Sequence, residues 1–100
     1  MLYGASKGAV RTMTKDIAME FATQGVRVNS IHPGYINTAM VDYAAATTKR
    51  DKAELGEAVS PMGRVGTVDE VSNLVLFLAS DESSYITGAE MVINGGAMAR

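Results

Sequence analysis

Val26-Arg27-Val28-Asn29-Ser30-Ile31-His32-Pro33-Gly34 is the stretch that decides the fold. Its β-branched residues predict a short strand over 26–31, and Pro33-Gly34 stops it. Proline cannot donate to a ladder, and it disfavours helix in the residue before it. The chain must then turn outward. In an open parallel sheet, ligands are met just past the carboxyl ends of strands, so Pro33 to Thr38 falls where a ligand would be held.

Working outward, Val10, Met13, Ile17 and Phe21 recur at helical spacing between Ser6 and about Thr23. Ala5, Ala9, Ala18 and Ala22 widen that apolar face with small side chains, and Gly25 is placed to end the helix. On the other side, Thr67-Val68-Asp69-Glu70 has the capping-box pattern. The helix it starts has Val71, Leu74, Val75 and Leu78 on one face. Val68, Leu76 and Phe77 extend that face, which predicts burial on two sides up to about Ala79. Asp81 to Ser84 make a polar turn, and Glu90 to Asn94 read as a last strand closed by Gly95-Gly96. Two strands joined through a crossover helix imply a parallel, right-handed α/β layer. Residues 39–60 are mixed: Met40, Val41 and Tyr43 are apolar, Thr47 to Asp51 polar, and the segment is expected to be a mobile substrate lid.

Composition narrows the function classes. A 100-residue chain that is 47% hydrophobic and 20% charged is ordinary globular material for one small domain. With no cysteine there is no disulfide framework. A formal charge of -2 gives no basic footprint for nucleic acid. The first residues lack the pattern of a signal peptide, and no apolar run reaches the ~20 residues that span a bilayer. Neither nucleic acid nor membrane is expected as a partner, and the expected location is cytoplasmic.

The chemistry begins at Tyr3-Gly4-Ala5-Ser6-Lys7. Four-residue spacing at the start of a helix puts phenol and ammonium on one face. A tyrosine titrates near pKa ~10, whereas opposite charges ~4 Å apart gain about 4 kcal/mol at an effective dielectric of 20. That can lower the phenol by roughly three units, towards general acid/base work. His32 is the single histidine; without carboxylate or cysteine neighbours it reads as structural, and no metal is expected. The methionines read as core filler. Arg64, between Gly63 and Gly66, reads as a tie between the base of the lid and the sheet.

Three blocks together are more specific than any one alone. They are Tyr3-x-x-x-Lys7; Asn29-x-x-x-Pro33-Gly34 with Ile36 and Thr38; and a tail through Pro61-Met62-Gly63-Arg64-Val65-Gly66, Tyr85-Ile86-Thr87-Gly88 and Ile93-Asn94-Gly95-Gly96. The chain resembles the C-terminal part of a short-chain dehydrogenase/reductase over essentially its whole length. The resemblance implies an α/β fold, the C-terminal portion of a Rossmann-like doubly wound parallel sheet. It implies that residues 1–100 are a C-terminal fragment of such a domain, with residues 39–60 as the lid. By the same resemblance the cofactor is NAD or NADP, and a hydride moves between it and a secondary alcohol or ketone.

Tyr3 would be the general acid/base, and Lys7 would hold the nicotinamide ribose and lower the Tyr3 pKa. Pro33, Gly34 and Ile36 would shape the nicotinamide pocket, and Thr38 would hydrogen-bond the carboxamide or phosphates. Asn29 is expected to order the strand end through backbone hydrogen bonds. The resemblance also implies a homo-oligomer, with the first helix packed across a subunit interface; packing on its own sheet is the equal alternative. The Pro33-to-Ile36 and Thr87-to-Glu90 wording resembles members acting on secondary alcohols or hydroxysteroids, and 3-oxoacyl reductases share most of it.

The family's glycine-rich phosphate turn and catalytic serine have no counterpart here. The ten glycines, at 4, 8, 25, 34, 56, 63, 66, 88, 95 and 96, spell no Gly-x-Gly-x-x-Gly. These residues alone are therefore expected to be inactive, and the alternative reading is a non-catalytic remnant or an oligomerisation and interaction module. The choice between NAD and NADP is not legible, since the residue that meets the adenosine ribose lies in the part without a counterpart.

Overall fold

The structure, a computed structural model, describes residues 2–99, with the side chain of Tyr3 outside the described residues. In chain order the elements are α1 (Leu2–Phe21), β1 (Ser30–Pro33), α2 (Ala39–Thr48), α3 (Lys52–Val59), α4 (Val68–Ala79) and β2 (Glu90–Ile93). They fall into two compact units. One holds the chain up to Ile31 with Leu76–Met91, the other His32–Val75 with the residues from Val92 on.

β1 and β2 pair as a two-stranded sheet. The Ser30 N–H donates to the Ala89 carbonyl at 3.0 Å and the Gly34 N–H to the Ile93 carbonyl at 3.0 Å. Both strands advance together between these bonds, so the pairing is parallel, as the crossover pattern requires. β1 starts later than the expected Val26. Around Val28 the facing chain is a loop: the Val28 N–H donates to Thr87 Oγ1 at 3.1 Å and its carbonyl accepts the Gly88 N–H at 2.7 Å. Asn29 does what was expected of it, donating from Nδ2 to the Ile86 carbonyl at 3.1 Å and accepting the Ala89 N–H at 3.0 Å. Pro33 ends the strand from inside it, where its missing N–H costs nothing because Gly34 supplies the next donor.

In the first unit, α1 begins ahead of the expected Ser6 and runs to Phe21, followed by a 3₁₀ turn over Ala22–Gln24. Gly25 ends it in the left-handed region at φ 76, a conformation that costs glycine least. Ala18 is buried, and a Cβ on Gly88 would stand 3.5 Å from its methyl. The loop between α4 and β2 is gathered by Arg27. Its Nη2 donates to the Leu78 and Ser80 carbonyls at 2.9 and 3.1 Å, and its Nη1 to Ser83 Oγ and the Ile86 carbonyl at 2.9 and 3.3 Å. The planar fork of arginine suits four such acceptors; an ammonium does not.

In the second unit, residues 39–60 hold α2 and α3. Val41, Ala45 and Leu55 make a small core with Ala44, Val59 and Val65 packed on it. Thr47 and Thr48 close α2, and residues 49–51 make the turn between the helices. Lys49 terminates α2 at φ 58, and Asp51 caps α3 by accepting the Glu54 N–H at 2.8 Å. Gly56 lets the helix approach the following loop, since a Cβ there would lie 2.5 Å from the Arg64 Cα. At the other end of α3, buried Ser60 donates to the Gly95 carbonyl at 3.2 Å and accepts the Met62 N–H at 3.1 Å.

The capping box forms as read: Thr67 Oγ1 accepts the Glu70 N–H at 3.1 Å and Glu70 Oε1 accepts the Thr67 N–H at 2.9 Å. The two-sided burial expected of α4 is not found. None of its residues is buried, and Val68 and Leu76 are 53% and 70% exposed. Its apolar content calls for partners on both sides, and the described elements supply too little surface to cover it. Among the described residues no helix is long and apolar enough to cross a membrane.

Replacing Arg27 by lysine should leave part of its carbonyl set without a donor and lower the unfolding free energy by about 2 kcal/mol. Urea denaturation measures it; an unchanged midpoint would show that the fork does not hold the loop. Gly56→Ala should destabilise by about 1–3 kcal/mol through overpacking against backbone, read from the same transition.

Candidate functional site

Pro33, Gly34, Ile36 and Thr38 lie in one short segment at the carboxyl end of β1, and that segment is held on two sides. On one side, a Cβ at Gly34 would stand 2.8 Å from Asn94 Cβ and 3.0 Å from its Cα, so only glycine lets the end of β1 lie this close to the end of β2. On the other, Ile36 forms a parallel bridge with Gly66. The Gly66 N–H donates to the Tyr35 carbonyl and the Asn37 N–H to the Gly66 carbonyl, both at 2.8 Å. Thr38 then turns the chain into α2: its carbonyl accepts the Val41 and Asp42 N–H groups, and its Oγ1 donates to the Ile36 carbonyl at 3.2 Å.

The result is a fixed ledge with exposed Pro33, Gly34 and Thr38 and a half-buried Ile36. The Ile36 Cδ1 lies where a Cβ on Gly66 would be, at 2.7 Å, so this side chain also braces the ledge. Gly66 was not singled out for this role by sequence reasoning. Its contact depends on a fold that brings residues thirty apart together, and no local pattern announces it.

Tyr3 and Lys7 sit on the first turns of α1, in the other unit. Four residues of helix separate them by about 6 Å along the axis. The Lys7 side chain is exposed; that of Tyr3 lies outside the described residues. An apolar groove of about 320 Å³, lined by Lys15, Ala18, Met19, Ala22, Thr87 and Gly88, lies farther along α1. It begins about 12 Å along the axis from Lys7, so it is not the site of the Tyr3 and Lys7 chemistry. Among the described residues no group of three or more His, Cys, Asp or Glu could hold a metal ion.

Arg64 differs from its expected role. It forks onto Glu70, Nη1 to Oε1 at 2.8 Å and Nη2 to Oε2 at 2.9 Å, and so ties the loop after α3 to the start of α4. The Arg64 hydrogen bond, followed by the Thr67 N–H, lowers the Glu70 carboxyl to about 2. A carboxyl depressed in this way adds stability that is present above its unfolded pKa of about 4.3 and is lost as pH falls through its folded value.

The ledge presents one exposed hydroxyl, backbone edges and a half-buried Ile36. The glycines with positive φ, at 25, 63, 88, 95 and 96, sit in turns, and none belongs to a glycine-rich turn leading from a strand into a helix.

A parallel α/β layer with a braced segment at a strand's carboxyl end has the arrangement in which open α/β folds meet their ligands. A family model described as enoyl-(acyl carrier protein) reductase matches residues 1–98. A 3-alpha-(or 20-beta)-hydroxysteroid dehydrogenase of Mycobacterium tuberculosis is 50% identical over 97% of this chain and 34% of its own length. Among solved structures, ElxO with NADP bound superposes with a TM-score of 0.85 at 32% identity, over 99% of this chain and 40% of that one. Ligand-free aldohexose dehydrogenase of Thermoplasma acidophilum does so with a TM-score of 0.86 at 37% identity, over 98% and 41%. The chain belongs to the short-chain dehydrogenase/reductase family, with the Rossmann-type α/β fold of its relatives. It spans about a third of the length of the curated relatives it matches, 34% to 38% in the closely similar ones.

Replacing Arg64 by alanine should return the Glu70 titration from about 2 towards the ordinary carboxylate range. Carboxyl carbon shifts followed against pH read this directly. A midpoint that stays low in the variant would show that the Thr67 N–H alone holds the carboxylate.

Proposed function

We propose that these residues are the carboxyl-terminal third of an NAD(P)-dependent oxidoreductase that interconverts a secondary alcohol and a ketone. The observation that carries the reading is the braced ledge 33–38, whose exposed Thr38 hydroxyl and backbone edges match a nicotinamide carboxamide. Two comparisons support it. A relative of known structure holds NADP, and one 50% identical in sequence is named for hydroxysteroid oxidoreduction.

In this reading Pro33, Gly34 and Ile36 would shape the surface against the nicotinamide, and Thr38 would hydrogen-bond its carboxamide or the cofactor phosphates. The bound nicotinamide supplies a two-electron hydride acceptor or donor. Tyr3 would take the hydroxyl proton of the alcohol in oxidation and return it to the ketone oxygen in reduction. Lys7, one helical turn along α1, favours the phenolate form of Tyr3 by charge and holds the ribose hydroxyls. The α2–α3 pair closes over the substrate. A homo-oligomer would cover apolar side chains that α1 leaves exposed, Val10 and Met13 among them.

The test uses the protein expressed from its native reading frame. Tyr3→Phe should lower kcat by roughly 10²- to 10⁴-fold, the span of a lost general acid/base, in both directions of the reaction. Lys7→Gln should lower kcat and also weaken NAD(P)H binding, followed by fluorescence titration. A Tyr3→Phe variant that keeps more than about a tenth of the wild-type kcat would remove the acid/base role from this residue.

A further inference from the structure

Gly66 braces the 33–38 ledge with backbone alone. Its N–H donates to the Tyr35 carbonyl and its carbonyl accepts the Asn37 N–H, both at 2.8 Å, in a bridge that stands outside the two-stranded sheet. Such a bridge is only as firm as the backbone on each side of it. On the ledge side that firmness comes from Gly34 lying against Asn94. On the other side it must come from whatever holds residue 66.

One carboxylate grips the chain both before and after Gly66. Before it, Arg64 forks onto Glu70, Nη1 to Oε1 at 2.8 Å and Nη2 to Oε2 at 2.9 Å, and Nη1 also donates to the Val65 carbonyl at 3.2 Å. After it, the Thr67 N–H and Oγ1 donate to Glu70 Oε1 at 2.9 and 3.2 Å. Glu70 stands in the first turn of α4, so the grip is anchored to a helix. A Cβ at Gly66 would lie 3.9 Å from Glu70 Oε1 and 2.7 Å from Ile36 Cδ1, which puts carboxylate and ledge on the same small residue. α3 closes in from its own side, since a Cβ on Gly56 would stand 2.5 Å from the Arg64 Cα. All these residues belong to the second unit.

An exposed ion pair by itself contributes little to stability. This one is bidentate and shares its carboxylate with a backbone N–H, so what it does is fix backbone positions over 64–67. With its carboxyl at about 2, Glu70 stays charged near neutral pH.

We infer that Glu70 is a positioning residue for the cofactor: with Arg64 it fixes Gly66, Gly66 fixes Tyr35 and Asn37, and the nicotinamide meets a ledge already in its bound shape. The inference rests on the oxidoreductase reading and deepens it. Once the grip is released, the ledge must be ordered at the cofactor's expense. The apparent Kd then rises as the fraction of molecules with the ledge in place falls. Bound cofactor restores the ledge, so kcat at saturation changes less.

The test uses the protein from its native reading frame. Glu70→Gln keeps the side-chain length and an oxygen for the Thr67 N–H, but its amide cannot accept the second arm of the Arg64 fork. Arg64→Lys keeps the charge without the fork. Each should raise the Kd for NADPH or NADH about tenfold in fluorescence titration and leave kcat at saturating cofactor within about threefold. Arg27→Lys is the control. It weakens the loop before β2 without touching 64–70, and with nearly all molecules still folded it should leave the Kd in place.

A second readout needs no cofactor. The Asn37 amide, bonded to the Gly66 carbonyl, should exchange its hydrogen about tenfold faster in both variants, while the Ser30 amide, bonded to the Ala89 carbonyl, keeps its rate. Variants with the wild-type Kd would overturn the inference and leave the oxidoreductase reading standing. A raised Kd with unchanged exchange at Asn37, or an equal rise in Arg27→Lys, would also overturn it. A wild-type protein that binds neither NADPH nor NADH would remove that reading and the inference together.

Discussion

The parallel pairing of β1 with β2 is the constraint on which everything else here depends. Two four-residue strands have few ladder bonds with which to define a register, and parallel pairing is slightly weaker per residue than antiparallel. Side chains and a glycine define it instead. Before the pair, the Asn29 carboxamide bridges the Ile86 carbonyl and the Ala89 N–H, standing in for a ladder step. After it, Gly34 comes too close to Asn94 for any side chain to intervene. A slip by one residue would break both devices and turn each strand's other face inward.

From that register follows the ledge. Because β1 must stop at Pro33 and lie against Asn94 at Gly34, the next residues leave the sheet in one direction and are caught on Gly66. The ledge is therefore fixed by backbone contacts on both sides, and its Pro33, Gly34 and Thr38 stay exposed. The α2–α3 pair has its own small core, tied back through Ser60 to Gly95. Such a body can cover a substrate without depending on the sheet for its shape. In the proposed function this separates the two tasks, with cofactor contact assigned to the braced segment and substrate contact to the helices that follow it.

Much of this was legible in the sequence where the cause is local. Thr67 and Glu70 are three residues apart and satisfy each other, so the start of α4 could be read directly, as could the glycine stop at Gly25. Asn29 could be read as a strand-end ligand for backbone because its side chain has that reach and little else nearby to bond. The misses have distant causes. Residues 39–60 read only as a mixed segment, because the helical pair they form has a core that needs Val41, Ala45 and Leu55 together. Arg64 could not be assigned to Glu70 before the loop after α3 and the start of α4 were seen to meet. α4 looked buried because apolar content was read as burial, whereas burial also requires a partner. The strand rule alone put the residues after Pro33 at the carboxyl end of β1, but the role of Gly66 in bracing them was not visible.

In the proposed oxidoreductase the 33–38 ledge receives the nicotinamide. The most direct measurement is magnetisation transfer between the nicotinamide ring protons of bound NADPH and the methyl groups of Ile36 and Thr38, in the protein expressed from its native reading frame with labelled isoleucine and threonine. The account predicts a cross-peak to at least one of these methyls and none to the methyls of Leu76 or Val92. NADPH that binds without such a contact, or that shows its ring contacts elsewhere, would contradict it.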